Sequence, residues 1–142
     1  GRSWLPLLNK KETTGWDQIG ASHTFHEIQM YYPMRVIRDR NYKLIWNIAH
    51  PLPFPFASDL WAAPTWQAQF KQGPTTKYGK RTVQEYIKRP EFELFDMRKD
   101  PNESKNLAAE AKHYELLQTY KGKLKEMQKQ TNDPWIIKWR YE

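Results

Sequence analysis

The first half of the chain alternates apolar and polar residues with the period of β-strands. Between Thr24 and Ile48 this pattern predicts strands at 25–31, 34–38 and 42–48. Asp39-Arg40-Asn41 separates the last two, and Asp and Asn tolerate turn geometry, so a hairpin is expected there. In the strand 42–48, four side chains share an apolar face: Tyr42, Leu44, Trp46 and Ile48. Lys43 and Asn47 are expected to face outward.

The remaining pattern predicts a fourth strand at 91–96 and a long helix at 108–130. The helix carries an apolar stripe at 3.6-residue spacing, made of Leu116, Leu117, Tyr120, Leu124 and Met127. Three prolines keep the segment 50–56 extended, and a short helix is expected at 61–72. The sequence thus predicts an α+β fold, a four-stranded antiparallel sheet with the long C-terminal helix on one face.

This organisation makes the 142 residues a single domain. We expect 1–20 to be a linker, 21–107 the sheet and its loops, 108–131 the helix and 132–142 a tail. The chain opens on Trp4-Leu5-Pro6 without a polar lead-in or the regions of a signal peptide, which is typical of the middle of a longer protein.

Composition narrows the class of protein. An aromatic content of 15% is incompatible with a disordered tail, and no apolar stretch approaches the roughly 20 residues that span a bilayer. Cysteine is absent, which excludes disulfides and a thiolate nucleophile. The net charge of +7 suits an anionic partner, yet no dense run of Lys and Arg typical of nucleic-acid patches is present.

The chain shows no catalytic apparatus of its own. It lacks a glycine-rich phosphate loop and a Gly-x-Ser-x-Gly motif, and no His, Asp or Glu cluster has metal-site spacing. His23 and His26 are three residues apart, so on a strand they would point to opposite faces unless a bend intervenes. His26 would share an apolar face with Ile28 and Met30, as a buried histidine or part of a cleft wall.

Four segments, in order, resemble the C-terminal region of the sulfatases, and most closely the sulfamidase branch of that family. The segments are 1–8 (GRSWLPLL), 26–35 with 40–45 (HEIQMYYPMR and RNYKLI), 53–59 (PFPFASD) and 93–107 (ELFDMRKDPNESKNL). The last is the longest and most specific, and it has a structural interpretation as a junction from strand to helix, with Asn106 capping the next helical turn. Asp133-Pro134-Trp135 adds a fifth match.

The resemblance implies a function for the whole protein that this chain does not perform alone. Sulfatases hydrolyse sulfate esters or N-sulfates with a formylglycine and Ca²⁺, both held in a larger N-terminal catalytic domain. The resemblance therefore implies that domain and a sulfated glycan as partners, rather than nucleic acid or a membrane, and an exported or lysosomal location. No nucleophile, cofactor or metal ligand is assigned to this chain.

The residues expected to reach substrate lie in one segment, from His23 to Arg35. His23, His26, Glu27 and Arg35 would form the rim of the substrate cleft, because they flank a strand break marked by Pro33. The alternative is a cross-strand ion pair between Glu27 and Arg35 with no role in binding. Two other interpretations of the chain stay open: a stand-alone basic, aromatic module that binds glycan or nucleic acid, and another branch such as an arylsulfatase or choline sulfatase.

Overall fold

The computed structural model describes residues 3–26 and 30–141. Its strands are β1 (Gln18–Phe25), β2 (Tyr31–Asp39), β3 (Tyr42–Asn47), β4 (Lys77–Tyr78), β5 (Arg81–Thr82) and β6 (Phe92–Asp96). Its α-helices are α1 (Ser58–Ala62), α2 (Pro64–Phe70), α3 (Val83–Ile87), α4 (Tyr114–Gln130) and α5 (Lys138–Tyr141). Short 3₁₀ helices occupy Leu5–Leu7, Ala111–His113 and Pro134–Ile137.

The main sheet has four antiparallel strands in the order β1-β2-β3-β6, which confirms the predicted α+β architecture. The predicted hairpin is formed by β2 and β3, with Arg38 opposite Lys43. Its turn is held by the Asp39 carboxylate, because Oδ1 accepts the backbone N–H groups of Asn41 and Tyr42, each at 2.9 Å. β4 and β5 form a separate two-stranded ribbon.

The first strand does not lie where the alternation predicts it. β1 begins at Gln18, inside the expected linker. Of the predicted strand 25–31, Phe25 ends β1 and Tyr31 begins β2, whereas residues 27–29 lie outside the described part. Pro33 lies inside β2, an inner strand, where the register shifts between His23 and Phe25. Proline donates no hydrogen bond, so an irregularity in the ladder is where an inner strand tolerates it.

Helix α4 packs on one face of the sheet and closes the hydrophobic core. The buried cluster contains Ile37, Leu44, Trp46, Ile48, Leu94, Leu107, Leu117, Tyr120 and Leu124. This confirms the apolar face of β3 and the stripe of the helix, whose Leu116 and Met127 are half-buried against the cluster. The helix is also anchored to the hairpin turn, because Lys123 Nζ lies 2.9 Å from Asp39 Oδ2 and the Tyr120 hydroxyl donates to the same oxygen.

The long helix begins six residues later than predicted, after a turn and the 3₁₀ helix Ala111–His113. The residues just before the predicted helix start cover the free edge of β6. Asn106 Oδ1 accepts the Leu94 N–H at 2.8 Å, and its Nδ2 donates to the Phe92 carbonyl at 3.0 Å. The Leu107 N–H completes the set by donating to the Leu94 carbonyl at 2.8 Å. Asn106 Oδ1 also accepts the Ala108 N–H at 3.0 Å, but this bond stabilises a turn. The prediction that Asn106 caps a helical turn is wrong, because the next helix is the 3₁₀ helix Ala111–His113, with Glu110 as its N-cap.

The face of the sheet opposite α4, called here the outer face, carries the alternate side chains of β2 and β3. They are Tyr32, Met34, Val36, Lys43, Ile45 and Asn47. Asn47 lies on this outer face but is fully buried, so the prediction that it faces solvent is wrong. Its Nδ2 donates to the Pro90 carbonyl at 2.8 Å and to Glu93 Oε2 at 2.9 Å. The chain between β3 and β6 therefore covers part of this face.

A second, aromatic core lies within that covering segment. Phe56, Trp66 and Tyr86 stack with ring centroids 4.5 to 5.5 Å apart, and Phe54 contacts Tyr32 edge-on at 5.1 Å. The helix predicted at 61–72 is divided into α1 and α2 at Ala63-Pro64, where proline removes a backbone donor.

Candidate functional site

The predicted rim segment spans the end of β1, its junction with β2 and the start of β2. His23 is half-buried, with Nδ1 3.0 Å from the Tyr32 carbonyl oxygen. His26 is exposed, and its backbone N–H donates to the Met30 carbonyl at 3.3 Å. Met30 is buried, so the predicted apolar face shared by His26 and Met30 does not form. Glu27 lies outside the described residues.

Arg35 forms a buried salt bridge near the C-terminal end of the chain. Its Nε and Nη2 atoms donate to the two carboxylate oxygens of Asp133 at 2.5 and 2.9 Å, with side chains only 5% and 12% exposed. Its Nη1 donates to the carbonyls of His23 at 3.0 Å and Met34 at 2.9 Å. This bidentate geometry fixes the middle of β2 against the segment after α4.

Asp133 is the centre of this network. Burial opposes its ionisation, but hydrogen bonds from Arg35, Gln128 and the Trp135 N–H outweigh burial and lower the pKa of Asp133 from 3.8 to about 2. Gln128 Nε2 donates to Asp133 at 2.9 Å, and Gln128 Oε1 accepts the Trp139 indole N–H at 2.6 Å. Asp133 also caps the 3₁₀ helix Pro134–Ile137 through the Trp135 N–H.

The four predicted rim residues therefore do not meet as one cluster of side chains. Residues directly opposite in a sheet share a face, so His23, opposite Met34, lies on the outer face. Arg35 follows Met34 in β2 and points to the α4 side, where Asp133 lies. Among the described residues, His26 is the rim candidate whose side chain is exposed.

A basic groove on the outer face was not predicted from the sequence. It is lined by Met34, Val36, Lys43, Ile45, Arg81, Tyr86, Arg89, Pro101, Asn102 and Glu103. Lys43 Nζ donates to both Glu103 carboxylate oxygens, at 2.8 and 2.9 Å, and Arg81 Nη1 donates to Glu93 at 3.4 Å. Lys43, Arg81 and Arg89 are scattered in sequence over three different elements or loops, so no local motif reveals the groove.

Neither a metal cluster nor a membrane span is found in the part of the chain that the structure describes. No group of three or more His, Asp or Glu side chains in residues 3–26 and 30–141 could hold a metal ion. Within the same residues, no helix is both long enough and apolar enough to cross a bilayer.

Comparison with known proteins identifies relatives of the whole chain, although no protein-family model matches it. Human N-sulphoglucosamine sulphohydrolase is 34% identical over 140 residues, covering 96% of this chain. Two solved structures share the fold, at 19% identity and over 95% of this chain: a sulfatase-like protein from Bacteroides thetaiotaomicron VPI-5482 (TM-score 0.58) and a 2-O GAG sulfatase (TM-score 0.57).

The fold and the sequence similarity together place the chain in the sulfatase family, where it fits the C-terminal domain. Within the family, the similarity to N-sulphoglucosamine sulphohydrolase agrees with the predicted sulfamidase branch. The chain spans about a quarter of that relative, 27%, and 21% of each structural neighbour. The comparisons give no support to the alternative of a stand-alone binding module.

Proposed function

We propose that this chain is the C-terminal domain of a sulfatase that hydrolyses sulfate esters or N-sulfates of sulfated sugars. The observation that carries the proposal is the 34% identity to N-sulphoglucosamine sulphohydrolase along nearly the entire chain. The function of the domain is to pack on a catalytic domain and to form one wall of the substrate cleft. Formylglycine and Ca²⁺ belong to that catalytic domain, and the enzyme is exported or lysosomal.

The exposed surface around β1 supports packing on another domain. Large apolar side chains are exposed there and at the start of the chain: Trp4, Leu5, Leu8, Ile19 and Phe25, the last at 66%. Every residue of β1 is exposed or half-buried, although the strand pairs along its length with β2. An apolar surface of this kind is typical of an interaction site.

Within that surface, the junction between β1 and β2 supports a role in the cleft wall. His26 presents an imidazole at an exposed bend, where it can donate a hydrogen bond to an anionic sugar substituent. Arg35 binds both Asp133 and the His23 carbonyl, so it fixes the end of β1, from which His26 follows, against β2. In this arrangement His26 contacts substrate, whereas Arg35 positions the segment.

The test is His26→Ala in the full-length polypeptide that contains the catalytic domain. We expect kcat/KM for an N-sulfated or O-sulfated sugar to fall about tenfold, the size of one hydrogen bond to a charged group, with an unchanged melting temperature. His113→Ala is the matched control, because His113 lies before α4 with Glu110 as its partner. Lost stability with unchanged kinetics in the folded fraction would contradict the cleft role.

A further inference from the structure

Arg89 is a half-buried cation without an acidic partner. Among the described residues, no carboxylate oxygen lies within 4.0 Å of its guanidinium, and its one hydrogen bond is a long contact of 3.5 Å from Nε to the Tyr86 carbonyl. Burial lowers the pKa of Arg89, and the nearby Glu93 charge only partly offsets that effect. Such a desolvated charge is costly unless an anion compensates it.

The position of Arg89 leaves its donors available. The guanidinium lies over the Phe54 ring, with Cζ 3.7 Å from the ring centroid, and its Nη1 and Nη2 atoms have no hydrogen-bond partner among the described residues. Stacking on an aromatic ring holds a guanidinium in place while its edge can still form paired hydrogen bonds with a planar or tetrahedral oxyanion.

Arg89 is one of three cations that line the outer-face groove. Lys43 and Arg81 also line it, and Glu103 is its one acidic lining residue among those described. Glu93, the salt-bridge partner of Arg81, is buried beside Asn47 and does not line this groove. Lys43 is paired with Glu103 and Arg81 with Glu93, so Arg89 is the cation of this groove without a salt-bridge partner among the described residues.

We propose that the outer-face groove binds an oxyanion, a sulfate or carboxylate group, through the free edge of Arg89. The groove lies on the same face of the sheet as His23 in the predicted rim segment. Its assignment to a charged substituent of an acidic sugar chain rests on the proposed function; the binding of an oxyanion does not.

The test is to titrate the protein with sodium sulfate and to monitor the NMR chemical shifts of the backbone amides and of the arginine Nε–Hε groups. The control is a titration with sodium chloride at equal ionic strength. A titration with sodium acetate tests whether the groove binds a carboxylate. A titration with a heparin-derived tetrasaccharide tests whether it binds an anionic group carried on a sugar chain. We expect sulfate to shift groove signals and Arg89→Gln to weaken its binding about tenfold. Arg40→Gln removes the same charge at the exposed hairpin turn and should leave binding unchanged.

Arg89→Lys retains the charge and keeps the test decisive if Arg89→Gln fails to fold. Because lysine lacks the paired donors, it should bind sulfate more weakly than the wild type. The proposal is overturned if sulfate produces no shifts beyond those of chloride, if Arg40→Gln weakens binding equally, or if Arg89→Lys binds as tightly as the wild type. It is also overturned if Arg89→Gln binds sulfate normally but destabilises the full-length polypeptide, which would assign Arg89 to a domain interface. No arm measures turnover, so failure here is distinguishable from failure of the sulfatase assignment.

Discussion

Replacing Asp133 by Asn should destabilise the domain by about 3 kcal/mol, a large effect for one uncharged isostere. The pKa of the carboxyl falls from 3.8 to about 2 on folding, which corresponds to roughly 2–3 kcal/mol of preferential stabilisation of its charged form. Loss of one partner of a buried pair typically costs about 3–5 kcal/mol. The lower part of this range applies because Arg35 keeps its bonds to the His23 and Met34 carbonyls.

The measurement is urea unfolding at pH 7, with Asp17→Asn as the matched control. Asp17 pairs with Arg40 at 2.9 Å, but the two side chains are 56% and 75% exposed, so that substitution should cost about 0–1 kcal/mol. A double variant that adds Arg35→Met should be less destabilised than the sum of the two single changes, because it no longer leaves one buried charge alone.

The pH dependence gives a second readout with a defined sign. The folded-state pKa of Asp133 is depressed, so its contribution is present above the unfolded pKa near 3.8 and is lost as pH falls towards about 2. The difference in unfolding free energy between wild type and Asp133→Asn should be constant from about pH 7 to 5 and shrink between about pH 4 and 2. An Asp133→Asn cost equal to that of Asp17→Asn, independent of pH, would refute the reasoning.

Two further predictions concern the packing of α4 on the sheet. Leu124→Ala should cost about 2–5 kcal/mol by urea unfolding, because Leu124 is fully buried; an unchanged melting temperature would show that α4 is not docked there. Gly20→Ala should cost less than about 1 kcal/mol, because the added Cβ would lie 1.6 Å from Met127 Sδ but the flexible methionine side chain can move away. The Gly20→Ala cost should disappear in a Met127→Ala background, and its persistence there would exclude this contact as the cause.

The sequence predicts most of the sheet and the helix because their signals are periodic and local. The alternation around Leu44 and the stripe around Leu124 each predict a buried face that the structure confirms. β1 cannot be predicted in this way, because all of its side chains are exposed or half-buried and its sequence therefore shows no apolar alternation. The alternation also predicts an exposed Asn47, because the segment that buries it is distant in sequence.

The candidate sites are less accessible to sequence reasoning because they depend on long-range pairing. The partner of Arg35 is Asp133, which is 98 residues away, and no local spacing indicates such a pair. Arg89 similarly acquires its surroundings from a proline-rich segment and from β3. For Asp133, the sequence does carry one signal, because Asp133-Pro134-Trp135 resembles a sulfatase segment.

Asn106 and Leu107 cover the outer edge of β6, so the two edges of the sheet differ in their ability to pair with another strand. Their amide and backbone groups already satisfy the outward-facing Leu94 N–H and the carbonyls of Leu94 and Phe92. A strand from another part of a longer polypeptide, or from a neighbouring molecule, finds no free ladder at these positions. Additional strands can therefore pair with this sheet only at the β1 edge. That edge is also the proposed contact with a companion domain, so copies of the chain that lack the domain would self-associate there.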